Sequence, residues 1–237
     1  MLNLKLSEEA KPVLVSKKYN IAPDDFIGKI KFYLTLFLKR IIDIVGAIIG
    51  IIFMIPLTLF VFIMNVIYKE NGPLFYSHIR IGKNGEYFKI YKYRTMVVNA
   101  DEILKDILAG DEKLKEEFEK NRKLYNDPRI TKAGKILRRT SLDEFPQFIN
   151  VLKGDMSIIG PRAVVDDEIE MFGNDRYKVF SVKPGITGYW AAHGRSNTTY
   201  EERVAMEKFY AENISLWLDI KIILKTIISV LKKEGAV

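Results

Sequence analysis

Residues 41–64 read IIDIVGAIIGIIFMIPLTLFVFIM, almost wholly apolar over 24 residues. As a straight helix the run would reach ~36 Å at ~1.5 Å per residue, long enough to cross a ~30 Å hydrocarbon core. Pro56 lies inside it. A proline there removes one helical hydrogen bond and clashes with the preceding turn, which favours a kink. Basic residues flank both ends, Lys29, Lys31, Lys39 and Arg40 before and Lys69 and Arg80 after, and Lys and Arg tend to stay on the cytoplasmic side. Both ends on one face implies a re-entrant helix-break-helix; a plain spanning helix that tolerates its proline is the alternative, and these features alone leave both open. A signal peptide is a poor reading, since about forty residues precede the run where ~15 to 30 span a whole signal peptide. The run is read as a permanent anchor.

Outward from this segment the chain divides into three. Residues 1–33 mix charge and apolar character around Pro12 and Pro23 and read as a loosely ordered leader; residues 34–68 form the membrane helix, and 69–237 form one cytosolic catalytic domain. Leu74-Phe75-Tyr76 and Tyr87 to Tyr91, separated by Gly82-Lys83-Asn84-Gly85, read as a β-hairpin. Residues 100 to 125 are charged with an interrupted apolar stripe, a solvated helical surface. A helix through Phe145, Phe148, Ile149, Val151 and Leu152 should stop at Gly154. The stretch from Ile214 to Lys233, with Trp217 and several lysines, suits an interfacial amphipathic helix or equally a buried one. The expected class is α+β and mainly helical.

Lys plus Arg exceed Asp plus Glu by 37 to 30, giving +7 and attraction to anionic partners. The chain has no Cys, which removes thiolate nucleophiles and Cys-based zinc sites, and its two His stand far apart. The chemistry concentrates between Arg129 and Glu144. Arg129, Lys132, Lys135, Arg138 and Arg139 crowd ahead of Asp143-Glu144, so cations that could hold phosphates sit beside carboxylates that could attack one or bind its metal ion. Ser141 and Glu144 also have the spacing of a capping box, which would make this merely a helix start. The two readings are compatible, because a carboxylate at a helix N-terminus sees the positive end of the dipole and stays ionised, as a nucleophile must.

Several ordered motifs carry a resemblance: Ile90-Tyr91-Lys92-Tyr93-Arg94-Thr95-Met96, Asp127-Pro128-Arg129-Ile130-Thr131, Arg138 to Gln147, Lys153 to Arg162, and Lys183-Pro184-Gly185-Ile186-Thr187-Gly188. Together they closely resemble the bacterial sugar transferase family, the monotopic polyprenol-phosphate phosphoglycosyl transferases, over about residues 36 to 233. The resemblance implies that Asp143 attacks the sugar-bearing phosphate of a UDP-sugar, expels UMP, and passes the sugar-1-phosphate, glucose or galactose, to undecaprenyl phosphate in capsule or exopolysaccharide assembly. It implies Mg2+ held by Glu144 with Asp143 close by, phosphate contacts from Lys92, Arg138 and Arg162 with Arg94 and Arg129 in support, and a re-entrant helix kinked at Pro56 on the cytosolic face of the bacterial inner or plasma membrane. Two departures from the family pattern are Ala163, where a second proline is common, and Ala191-Ala192-His193, where a stretch with glutamine is more usual; His193 receives no catalytic role. The partners are then the UDP-sugar, undecaprenyl phosphate and the bilayer, with homo-oligomerisation left open. A nucleic-acid binder is disfavoured because the cations are interleaved with acids and no such motif is present. A non-catalytic scaffold of a polysaccharide assembly complex is the alternative, against which the intact Asp143-Glu144 pair argues.

Overall fold

The computed structural model describes residues 21–121, 124–194 and 198–231; most of the leader, and Lys232 and Lys233, lie outside them. Helix α1 runs Phe26–Ile67, 42 residues. It begins within the stretch assigned to the leader, because Asp25 caps it by accepting from the Gly28 amide at 2.6 Å. It stays helical through Pro56, so the helix-break-helix expected from the sequence is not found: the helix is continuous. Two bending devices nonetheless share a turn: Pro56 withholds an amide, and Thr58 Oγ1 donates to the Met54 carbonyl at 2.7 Å. The same carbonyl accepts from the Tyr93 hydroxyl at 3.3 Å.

The hairpin forms as read. Strand β1 (Phe75–Ile81) pairs antiparallel with β2 (Tyr87–Tyr93), Tyr76 opposite Lys92 and His78 opposite Ile90. Its turn uses positive φ at Asn84 and Gly85. The charged stretch after it is two helices, α2 (Ala100–Gly110) and α3 (Glu112–Asn121), because Asp111 leaves helical backbone and its carboxylate caps the Lys113 and Leu114 amides. Helix α4 (Lys132–Thr140) is capped by Thr131, which accepts from Gly134 N. Gly134 is needed there: a Cβ would sit 2.0 Å from the Thr95 carbonyl oxygen. Helix α5 (Gln147–Lys153) ends at Gly154 with φ 93°, as the sequence indicates.

Beyond it, β3 (Ser157–Ile159) and β4 (Gly185–Thr187) make a small parallel pair, with α6 (Arg176–Val179), α7 (Tyr189–His193), α8 (Tyr200–Glu212) and α9 (Leu216–Leu231) around it. Helix α9 has one buried and one exposed apolar face: Ile222 is fully buried against Ile159 and Tyr210, whereas Trp217, Ile220, Leu224, Ile227 and Ile228 are exposed. An apolar face open to solvent over several turns marks an interaction surface.

Helix α1 is bound to the body from Lys39 to Val61. Lys39 pairs with Asp219 at 2.7 Å, and Arg40 donates to the Val151 and Leu152 carbonyls. The buried Asp43 carboxylate accepts from Ser157 Oγ and Ile158 N. Ala47 packs with Ile90, Val151 and Met156; Val61 packs with Tyr93 and Leu137. The rest of the circumference, including Ile41, Ile48, Ile52, Phe53, Ile55 and Leu59, is exposed and apolar.

Candidate active site

Strand β2, the end of α4 and the turn after it build the site. Helix α4 stops at Ser141, whose left-handed backbone (φ 55°) lets its amide bond back to Leu137 and Arg138 carbonyls. The chain then makes a short 3₁₀ turn, Leu142–Glu144, before Pro146 and α5. Leu142 and Phe145 pack against the Val61, Tyr93 and Leu137 cluster, which fixes the two carboxylates between them. The capping box does not form: the Ser141 side chain caps nothing, and Glu144 reaches Lys92 Nζ at 2.6 Å.

Lys92 is held in register by Asn150, which sequence reading missed. Its fully buried side chain accepts from Tyr91 N at 3.0 Å and donates to the Lys89 carbonyl at 2.7 Å, tying β2 to α5 just ahead of Lys92. A polar residue amid the apolar run Phe148-Ile149-Asn150-Val151 was the available signal, because a buried amide needs partners. Arg138 Nε donates to Thr95 Oγ1 at 2.9 Å; burial lowers its pKa, partly countered by Asp143.

Asp143 is buried, and its pKa is pushed up to about 6. Desolvation is the main cause; Glu144 adds to it, whereas Lys92 and Arg138 oppose it. This corrects the expectation from the dipole of a longer helix. A three-residue turn has little dipole to offer, and what keeps Asp143 ionised near neutrality is the flanking Lys92 and Arg138.

The structure therefore brings Lys92, Arg138, Asp143 and Glu144 together. It gives Arg94 and Arg129 other work. Arg94 donates to the Pro73 carbonyl at 2.6 Å and the Asn71 carbonyl at 2.5 Å, bracing the turn after α1. Arg129 grips Asp127 with two parallel hydrogen bonds, Nε to Oδ1 at 2.8 Å and Nη2 to Oδ2 at 2.6 Å, both residues buried. Burial works to raise the Asp127 pKa, but the Arg129 hydrogen bonds outweigh it and hold the carboxyl low. Arg162 belongs to a second basic cluster: its amide is bonded to Glu207, its guanidinium lies over the Trp190 ring, and Arg80 is near enough to feel its charge. Glu207 is fully buried, which pushes its pKa up to about 7. His193 stacks on Tyr189 with centroids 4.0 Å apart.

Among the described residues no three His, Cys, Asp or Glu side chains form a metal cluster. The Asp143-Glu144 pair still fits a hard cation of the magnesium type, which takes one or two carboxylates, substrate phosphate oxygens and retained waters rather than an all-protein cage.

Comparison with known proteins agrees with the motifs. The bacterial sugar transferase family matches residues 34–233. An undecaprenyl-phosphate galactose phosphotransferase of Salmonella typhimurium is 46% identical over 200 residues, covering 84% of this chain and 42% of that protein. The UDP-galactose-lipid carrier transferase of Erwinia amylovora is 44% identical over 201 residues, covering 84% and 42%. Exopolysaccharide production protein ExoY of Sinorhizobium fredii is 41% identical over 199 residues, covering 84% of this chain and 87% of its own. The matched part thus spans less than half the length of the first two relatives and most of the third.

Proposed function

This chain belongs to the bacterial sugar transferase family, and from that premise we propose that it moves a sugar-1-phosphate from a UDP-sugar to undecaprenyl phosphate in capsule or exopolysaccharide assembly. The single observation that carries the reading is the Asp143 carboxylate, buried, poised near pH 6 and set between Lys92 and Arg138 with Glu144 beside it. Galactose in the names of two relatives supports a hexose as the sugar.

In the first step an Asp143 oxygen forms a bond to the sugar-bearing phosphorus, and the bond from that phosphorus to the bridging oxygen breaks, so UMP leaves with the electron pair. In the second, an oxygen of the lipid phosphate forms a bond to the same phosphorus and the bond to Asp143 breaks, restoring the carboxylate and yielding a lipid diphosphosugar. Lys92 and Arg138 offset the repulsion between an anionic nucleophile and an anionic substrate. Arg138 is suited to orient phosphate oxygens through its planar fork. A carboxylate whose pKa sits near 6 is ionised at cytosolic pH yet more basic than an exposed aspartate, which suits a nucleophile. Glu144, with Asp143 close by, would hold magnesium, whose chemistry there would be to neutralise charge on the departing nucleotide.

The reading puts the protein on the cytosolic face, with α1 bent around Pro56 so that it enters and leaves the same leaflet. Its packing supports this. Contacts to the body run from Lys39 to Val61, a rise of roughly 33 Å at ~1.5 Å per residue and so about the depth of the hydrocarbon core. A helix crossing upright would drag polar strands and charged helices through that whole depth, whereas ionised groups there are costly. The exposed apolar side of α1 and the outer face of α9 suit a leaflet instead.

The test is a trapped intermediate. With UDP-galactose and magnesium but no lipid, intact-protein mass spectrometry should show a phosphohexose on Asp143 and stoichiometric UMP. Asp143→Asn should give neither, because an amide does not form the acyl phosphate. Turnover by Asp143→Asn near that of the parent would remove Asp143 as nucleophile.

A further inference from the structure

A groove of about 440 Å3 has Ile49, Phe53 and Pro56 of α1 on one side and Leu142, Phe145 and Phe148 on the other. All of these side chains are apolar, so the groove offers nothing to a nucleotide, a sugar or a phosphate. A hydrocarbon chain is the chemistry it fits. Leu142 and Phe145 directly bracket Asp143 and Glu144 in the chain, so a hydrocarbon lying there reaches the turn that carries the two carboxylates. On the α1 side, Ile49 and Phe53 are half exposed or more and continuous with the apolar surface of Ile48 and Ile52, so a chain can slide in sideways from a bilayer.

The lengthwise direction follows from what α1 touches in turn. A Cβ on Gly46 would meet Ile158 and one on Gly50 would meet the Phe148 ring, each at 2.4 Å, whereas Met54 and Leu57 pack in the cluster that holds Leu142 and Phe145. The end near Pro56 and Leu57 is therefore the end nearest Asp143, and the groove extends from there back toward Gly46.

We propose that this groove holds the phosphate-proximal isoprene units of the lipid acceptor and thereby delivers the acceptor phosphate to Asp143. The proposal rests on the transferase reading above and adds the lipid subsite to it. A volume of about 440 Å3 lies within the ~300–1,000 Å3 of small-ligand pockets, so only the first part of a polyprenyl chain is gripped and the remainder stays in the leaflet. Continuity with the carboxylates favours the acceptor over a bulk phospholipid, whose headgroup has no reason to stop beside Asp143.

Filling the groove tests this. Ile49→Trp and Phe53→Trp put an indole into it at positions with room to move, and Ile52→Trp, on the exposed face of α1 outside the groove, controls for altered membrane contact. Each protein is reconstituted in nanodiscs, shown to form the phosphosugar adduct without lipid acceptor, and then titrated with undecaprenyl phosphate. The KM for the lipid should rise at least tenfold in both groove variants and stay within twofold of the parent in Ile52→Trp. An unchanged KM in both groove variants would overturn the subsite. So would an equal rise in all three, which would mark the surface as a general bilayer contact. A parent protein that forms no adduct would instead defeat the transferase reading itself, a different failure from either.

Discussion

Two charge-removing substitutions should move the acidic limb of catalysis in opposite directions. In the proposed mechanism Asp143 must be ionised to attack, and with a pKa of about 6 only about a tenth of the protein would be active at pH 5. The value is a balance in which burial and Glu144 push upward while Lys92 and Arg138 pull downward. Lys92→Met removes a cation and also releases Glu144 from its 2.6 Å bridge, so both consequences favour protonated Asp143. Glu144→Gln removes the repelling neighbour and frees Lys92 to attend to Asp143, so both favour the ionised form. Neighbouring charges at such separations shift a carboxyl by about one to three units, each worth about 1.4 kcal/mol. Taking the lower end for a pair already compensating each other, the limb should stand near pH 7 in Lys92→Met and near pH 5 in Glu144→Gln. The assay is single-turnover adduct formation at subsaturating nucleotide-sugar and fixed magnesium, where kcat/KM reports the free enzyme. Rates will fall in both variants for other reasons, but the position of the limb is independent of its height. Limbs that move the same way, or a parent limb at the ordinary aspartate value near ~4, would refute the electrostatic account.

Three further outcomes are expected. Arg129→Met leaves the buried Asp127 carboxylate unpaired, so stability should fall by about 3–5 kcal/mol, read as a lower melting temperature, with adduct formation retained in the folded fraction; a lost adduct step at full stability would return Arg129 to the site. Arg138→Met should do the reverse, folding normally and forming adduct at least a hundredfold more slowly. For topology, single cysteines at Asp24 and Lys115 should both resist an impermeant thiol reagent outside intact cells and react after permeabilisation. Pro56→Leu should expose the residue 24 probe, and labelling of that probe in the protein with Pro56 intact would mean that α1 spans.

The legible parts of this chain were those with local causes. The hairpin announced itself through aromatic runs around Gly82 to Gly85, and α5 through its glycine stop. What stayed hidden depends on distant neighbours. Strands β3 and β4 are three residues each and meet across a long excursion, too short to carry a period. Arg94 and Arg129 look like phosphate ligands in a basic motif, and only the fold reveals that carbonyls of Asn71 and Pro73 and the carboxylate of Asp127 have claimed them. The packed face of α1 was masked for another reason. A helix apolar all round has no polar side to define the inner one, so the packed stripe is marked mainly by the small or polar Asp43, Ala47 and Gly50. Burial of Asp143, which sets its chemistry, is likewise a property of Leu142 and Phe145 finding α1.

That last contact changes what the hydrophobic segment is for. An anchor in the usual sense can be cut away to leave a soluble enzyme. Here Asp219 would lose Lys39, Ser157 and Ile158 would lose the Asp43 carboxylate, and Tyr93, Leu137 and Leu142 would lose Val61 as a wall. Deleting α1 would open two of the hydrophobic clusters and loosen the turn that carries Asp143, so solubility and catalysis cannot be had from the same truncation. The exposed apolar side of α1 is free of that duty; the side that faces the body is a wall of the enzyme it helps to build.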